Sequence, residues 1–225
     1  MSSIKIDLYR EINSIDDWKN INNSPTENYM LMTDLDFANE GSNIRISKTY
    51  TGKVNGNNHT IKNIILTSDF LFNDLKGTIE NINIQNFKQD KAETAAVYGL
   101  IWNATNAVID NIHMKDVKIT INSNVSCNVG ALIGNANTGT VIKNCSAINV
   151  SIEKASEEAI QTSKIGGLIG SFGGISVENS YVKNINIISK NAVTQYVGGL
   201  IGQISLGKVE NCYVSEGKIS SEKKG

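Results

Sequence analysis

The 225-residue chain carries a net charge of −1, with 40 % hydrophobic and 19 % charged residues. A balance this close to neutral points to neither nucleic acid nor an anionic membrane as partner. No run approaches the ~18 consecutive apolar residues of a membrane-spanning helix, and Met-Ser-Ser-Ile-Lys-Ile-Asp at the start has no apolar signal core. The chain is therefore expected either to stay inside its cell or to be a fragment of something exported.

Residues 1–37 do not repeat. Ser14-Ile-Asp-Asp17 reads as a capping box with Asp in place of Glu, opening a short helix to about Ile21. Ile15, Trp18 and Ile21 then share one face. Pro25 ends this piece, and Tyr29 to Phe37 is strand-like. Asn55-Gly56 marks a hairpin-like turn, and Phe70 to Gly77 is a worn copy of a unit that soon becomes regular.

That unit is Val129-Gly-Ala-Leu-Ile-Gly134, then Ile165-Gly-Gly-Leu-Ile-Gly170, then Val197-Gly-Gly-Leu-Ile-Gly202, with Val97-Tyr-Gly-Leu-Ile-Trp102 before them. Each leads to a second phrase of the type Val177-Glu-Asn-Ser-Tyr-Val182. The spacing of Leu100, Leu132, Leu168 and Leu200 gives a period of 32 to 36 residues, the mark of a stacked repeat. In Ile79-Glu-Asn-Ile-Asn-Ile84 the apolar residues fall at 79, 82 and 84, so strand parity flips at Asn81. Asparagine tolerates the left-handed backbone that a corner needs. The register recurs at Asn63, Asn111, Asn144, Asn179 and Asn211, and with Asn81 these six predict a buried asparagine ladder along one edge.

Asn, Gly, Ile and Val are poor helix formers, so helical repeats are excluded. The expected fold is all-β: a right-handed parallel β-helix (β-solenoid) with a short N-terminal α-helical cap. The expected boundaries are a cap over 1–49 plugged by Trp18, repeats over 50–221, and a polar tail or linker over 222–225. Spacers of varied length (Lys88 to Ala96, Asn122 to Asn128, Lys154 to Lys164, Ser189 to Gln195) leave the repeat at one point and should line one side of the stack. After Ser220 no plug follows, so the last rung is expected to be continued, covered by another chain, or to associate end to end.

Cys145 and Cys212 share a column with Ser180 between them, two rungs or roughly 10 Å apart, beyond disulfide reach. Asp34 and Asp36 with Asn55, Asn57 and Asn58 either form an oxygen-rich cation site or satisfy backbone amides where the cap meets the first rung. Glu178 and Glu210 stack at a separation used by retaining glycosidases, but equivalents on neighbouring rungs are always that close. Their column, read as Lys62, Glu80, Asp110, Lys143, Glu178 and Glu210, is an exposed mixed-charge stripe. Tyr181 and Tyr213 face outward on adjacent rungs, either as a stacked ladder or as an aromatic platform for a sugar ring or a partner's side chain. His113 is expected to point outward on the same column, with Asn83 and Ser146.

The Gly-Gly-Leu-Ile-Gly and Val-Glu-Asn-Cys-Tyr-Val phrases resemble the GLUG repeat. Asp34-Leu-Asp36, Tyr50-Thr-Gly52 and Asn58-His-Thr-Ile61 resemble the non-catalytic N-terminal region of bacterial immunoglobulin-A1-cleaving zinc metalloproteases, departing from it at Asn55 and Trp102. The resemblance implies a β-solenoid. The two histidines, His59 and His113, form no His-Glu-x-x-His, so the catalytic part of such a protease is not here. The expected function is a non-catalytic spacer, adhesion or binding module of a larger bacterial surface or secreted protein. A host protein or glycan is the expected ligand, with no cofactor, metal or membrane insertion. The alternatives are a phage tail or spike component of a virion and, weakest, a carbohydrate-active β-helix enzyme.

Overall fold

A computed structural model describes residues 8–67, 70–91, 97–122, 125–154, 162–190 and 195–222. The middles of the four spacers, at 92–96, 123–124, 155–161 and 191–194, lie outside the described residues, as does most of the predicted tail. The chain is a parallel β-solenoid, 61 % strand, with one short helix at its N-terminus, and about four of its turns carry all three sheets.

Every strand pairs in parallel with its equivalent on the next rung. A long sheet stacks Arg10–Ile12, Tyr29–Leu31, Lys53–Asn55, Thr78–Lys91 and Val108–Ile121, then Val141–Lys143, Ser176–Glu178 and Lys208–Glu210. Its continuation stacks Thr60–Leu66, Ser146–Lys154, Tyr181–Lys190 and Tyr213–Glu222 on the same two long strands. A six-stranded second sheet and a four-stranded third sheet close the coil. The long strands reach equivalent points at Lys91, Ile121, Lys154 and Ser189, so the spacers all depart from one edge.

Inward columns explain why the strands hold this register. Val54, Ile79, Ile109, Ile142 and Val177 stack in one column, and Ile61, Ile84, Met114, Ala147 and Val182 in the next, all buried. Burying a side chain of this size contributes about 1.5–3 kcal/mol, and a slip of one residue would turn both columns outward.

The corners are left-handed as the parity argument requires: Asn81, Asn111, Asn144, Asn179 and Asn211 have φ between 48° and 56°. Two expectations need correction. The ladder is not buried, because Asn81 and Asn111 are half-buried and Asn144, Asn179 and Asn211 are exposed; lateral amide bonds satisfy these side chains without enclosing them. Asn63 also stands elsewhere. Asn58, at φ 63°, takes the first-corner place on its rung, and Asn63 begins a second corner column continued by Asn86, Asp116, Asn149, Asn184 and Glu216. In that column Asn63 donates to Asp36, Asn86 to Asn63, Asn149 to Asp116 and Asn184 to Asn149, at 2.7–3.0 Å. Lys62 moves with Asn63, aligning with Gln85, and Asn55 takes its place beside Glu80 in the charged stripe.

What a corner demands, then, is backbone conformation plus a lateral amide. Asn179→Leu forces a branched side chain into φ 48° and removes bonds to Asn144 and from Asn211. Left-handed backbone costs about 1–2 kcal/mol, so this variant should unfold at clearly lower urea than Glu178→Leu, a half-buried strand position one residue away. Equal midpoints would contradict the assignment of the corner.

The helix, α1 (Ile15–Lys19), begins at Ser14, whose side chain accepts from the Asp17 amide while Asp17 Oδ2 accepts from the Asn13 amide. A 3-10 turn, Asn20–Asn22, extends it. Trp18 is fully buried, donates from Nε1 to the Ile44 carbonyl at 2.7 Å, and meets Phe37 and Phe72 at ring-centroid distances of 5.7 and 6.0 Å. Strands before residue 50 already belong to the stack, so the plug sits within the first rungs rather than on a separate cap.

The glycines of the repeated phrase mark where the second and third sheets meet backbone to backbone. A Cβ on Gly166 would lie 2.0 Å from the Ile169 oxygen and 2.6 Å from the Gly202 nitrogen. On Gly170 it would lie 2.5 Å from the Val129 nitrogen and 2.7 Å from the Gly134 oxygen. Leu168 between them is fully buried. Trp102 aligns with Gly134 on the first rung to carry the third sheet, and there it stacks on Phe70 at 4.7 Å.

Candidate binding groove

Two corners a few residues apart turn a short stretch of every rung into a narrow face. Its first outward column is Thr60, Asn83, His113, Ser146, Tyr181 and Tyr213, and its second is Lys62, Gln85, Lys115, Ile148, Lys183 and Ser215. Together they form a groove of about 420 Å³ running along the stack from Thr60 to Tyr181. That is within the usual range of small-ligand sites. No carboxylate lines it.

The middle of the groove is a hydrogen-bonded relay. Asn111 Nδ2 donates to Asn81 Oδ1 at 2.9 Å, which leaves Asn111 Oδ1 as an acceptor. His113 Nε2–H donates to it at 2.8 Å, so Nδ1 accepts from the Ser146 hydroxyl, also at 2.8 Å. That bond occupies the acceptor the next asparagine would use, and Asn144 donates to Asp110 instead, at 2.8 Å. Burial holds the His113 imidazole below its ordinary pKa. A histidine so depressed takes up its proton more readily unfolded than folded. Its contribution is complete above the unfolded value of about 6.5 and is lost as pH falls through the folded one. The urea midpoint should therefore fall between pH 7.5 and 5, and His113→Gln should flatten that slope; an unchanged slope would contradict the neutral imidazole.

Tyr181 and Tyr213 lie face to face, centroids 5.0 Å apart and planes within 3°. Being on adjacent rungs, they stack along the solenoid axis, and Tyr181 turns its other face toward Ser146. Tyr213 is 55 % exposed.

The other candidates are absorbed by structure. Asp34 accepts from the Thr60 amide and pairs with His59 at 3.1 Å. Asp36 accepts from the Ala38 amide and from Asn63, and pairs with Lys62 at 3.3 Å. These bonds hold both carboxyls below their usual range, the backbone amide leading for Asp34 and the Asn63 amide for Asp36. Among the described residues no group of three or more His, Cys, Asp or Glu is placed to hold a metal. Glu178 and Glu210 are in register, but Glu210 pairs with Lys208 at 3.0 Å, outside the groove. Cys145 is buried, its thiol pushed up to about 12 chiefly by desolvation. Burial likewise raises Cys127, with Lys154 Nζ 3.8 Å away.

A coil of parallel rungs with asparagine corners and glycine contacts between sheets defines a parallel β-solenoid. The family model described as "The GLUG motif" matches residues 194–220. A solved structure from Bacteroides ovatus, provisionally named an immunoglobulin A1 protease, is similar in fold, with a TM-score of 0.53 and 17 % identity. The likeness covers 96 % of this chain and 81 % of that one. No curated protein matches the chain.

Proposed function

We propose that this chain is a non-catalytic β-solenoid module, a rigid spacer with a lateral binding groove, belonging to a larger bacterial surface or secreted protein. The observation that carries this reading is the state of the one Ser–His pair in the groove. Ser146, His113 and Asn111 are connected as a nucleophile, base and orienting group would be. Yet Ser146 is only 1 % exposed. A nucleophile must reach a substrate carbonyl, and this one is closed off; the relay clasps three rungs together. The surface beside it, with stacked tyrosines and a row of hydroxyl and amide side chains, is suited to holding a ligand without altering it.

The test is incubation with a serine-directed fluorophosphonate probe, followed by peptide mapping. The expected result is no label on Ser146 in the native chain. Stoichiometric label there, abolished by His113→Gln, would replace the binding reading with a hydrolytic one.

The final rung is part of the same proposal. Ile204, Leu206, Val214 and Ile219 are 42–65 % exposed around it, beside strand edges with free hydrogen-bonding groups. As the 225-residue chain, the protein should self-associate with rising concentration or exchange amide hydrogens faster over 209–220 than over 141–152. Light scattering and hydrogen exchange check this; a strict monomer with equal protection in both segments would remove the terminal rung as an attachment surface.

A further inference from the structure

We infer that the groove between the two corner columns is a site for an acidic oligosaccharide, with a sugar ring against Tyr181 and a carboxylate on Lys115. The inference rests on the binding reading above and gives it a ligand class.

Three features of the groove lead there. The first is the aromatic end of the groove. His113 and Tyr181 are two rungs apart, about 10 Å, and both line the groove with Ser146 covered between them. Tyr181 is held rigid by its stack on Tyr213, so its free face is already oriented before any ligand arrives. A flat aromatic face beside hydrogen-bonding side chains accepts the C–H face of a pyranose while its hydroxyls find partners at the edge.

The second is the polar inventory. Thr60, Asn83 and Gln85 continue the groove along the axis with hydroxyl and amide groups. Such a row of donors and acceptors matches a chain of hydroxyls better than a run of apolar side chains. The third is charge. Lys115 is exposed and makes no ion pair among the described residues, whereas Lys62 and Lys183 on the same column are bound to Asp36 and Glu216. His113 is neutral and no carboxylate lines the groove, so Lys115 is its one net charge. A lone ammonium in a site without acidic residues favours an anion. Lys115 and Tyr181 stand two rungs apart and two residues offset along the strand, about 12 Å, a separation on the scale of one disaccharide unit, with its acidic sugar at one end and the stacked ring at the other.

The experiment titrates the 225-residue chain with hyaluronan tetrasaccharide, 3′-sialyllactose, lactose and a glutamate-rich peptide, read by calorimetry and by NMR shifts. At least one of the two acidic saccharides should bind, at least tenfold more tightly than lactose. Lys115→Ala should weaken that binding about tenfold, as expected for one charge-assisted contact, and Tyr181→Ala should weaken it by as much or more. Raising salt should weaken it too. Lys190→Ala, outside the groove, is the control, and circular dichroism checks that each variant keeps its strand signal. Equal binding of lactose overturns the acidic part of the assignment. Binding of the peptide alone, or of none of the four, overturns the saccharide. The recovered saccharides are sized after incubation: cleavage would overturn the non-catalytic reading while leaving the site in place, and intact recovery with binding supports both.

Discussion

Trp18→Ala lowers the stability of the chain by about 3–5 kcal/mol, the range for truncating a large buried aromatic residue. The side chain is fully buried against Phe37 and Phe72, and its indole N–H satisfies the Ile44 carbonyl. Removing it opens a cavity at the first rungs and leaves that carbonyl without its donor. In a stack where each rung contacts only its neighbours, the loss is felt first at the N-terminal end. Hydrogen exchange should therefore accelerate over 29–75 before it does over 141–172. Uniform acceleration, or an unfolding free energy lowered by less than about 1 kcal/mol, would show that Trp18 does not plug the coil.

Gly166→Val is expected to cost about 3 kcal/mol or more, at the upper end for inserting atoms where none fit. The obstruction is backbone on both sides, Ile169 oxygen at 2.0 Å and Gly202 nitrogen at 2.6 Å, so no rotamer change relieves it. The two sheets would have to separate, breaking a contact that Gly130 and Gly198 repeat in the neighbouring copies. Ser171→Val, half-buried on a neighbouring strand and tied only to Lys164, should cost much less. A soluble Gly166→Val protein with an unchanged urea midpoint would mean the sheets do not meet through their glycines.

These effects also show which parts of the fold a reader of the sequence can reach. The period and the parity flip at Asn81 are local patterns with local causes, and they led to the solenoid. The second corner was missed although its signal is present: apolar parity flips again between Ile84 and Phe87, Met114 and Val117, and Ala147 and Val150. The corner residue there varies through Asn86, Asp116, Asn149, Asn184 and Glu216, so no single letter repeats. Asn63 went to the wrong column because its rung carries two extra residues around Asn58 and His59. The ladder's exposure was also beyond a pattern argument, since burial depends on what lies outside a corner.

The groove shows the same division. The outward column of Asn83, His113, Ser146, Tyr181 and Tyr213 was legible from repeat register alone. Its concavity was not, because that follows from the second corner. The clasp of Ser146 on His113 was equally hidden, as it needs the Asn111 amide oriented by its neighbour on the rung below. Lys115 had no distinguishing neighbour in the sequence. It stands out only once Lys62 and Lys183 are seen to be paired.

The in-register stack underlies both the groove and the rigid spacer, and spin-label distances test it directly. Glu11, Met30, Asn55, Glu80, Asp110, Lys143, Glu178 and Glu210 occupy one column on successive rungs. With a step of about 4.8 Å, a label at Glu210 should lie about 14 Å from Asp110, about 19 Å from Glu80, about 24 Å from Asn55 and about 34 Å from Glu11. The separations should grow linearly with rung number, and a rigid spacer should give narrow distributions. Distances that fail to rise in equal steps, or broad distributions between Glu11 and Glu210, would contradict a continuous rigid solenoid.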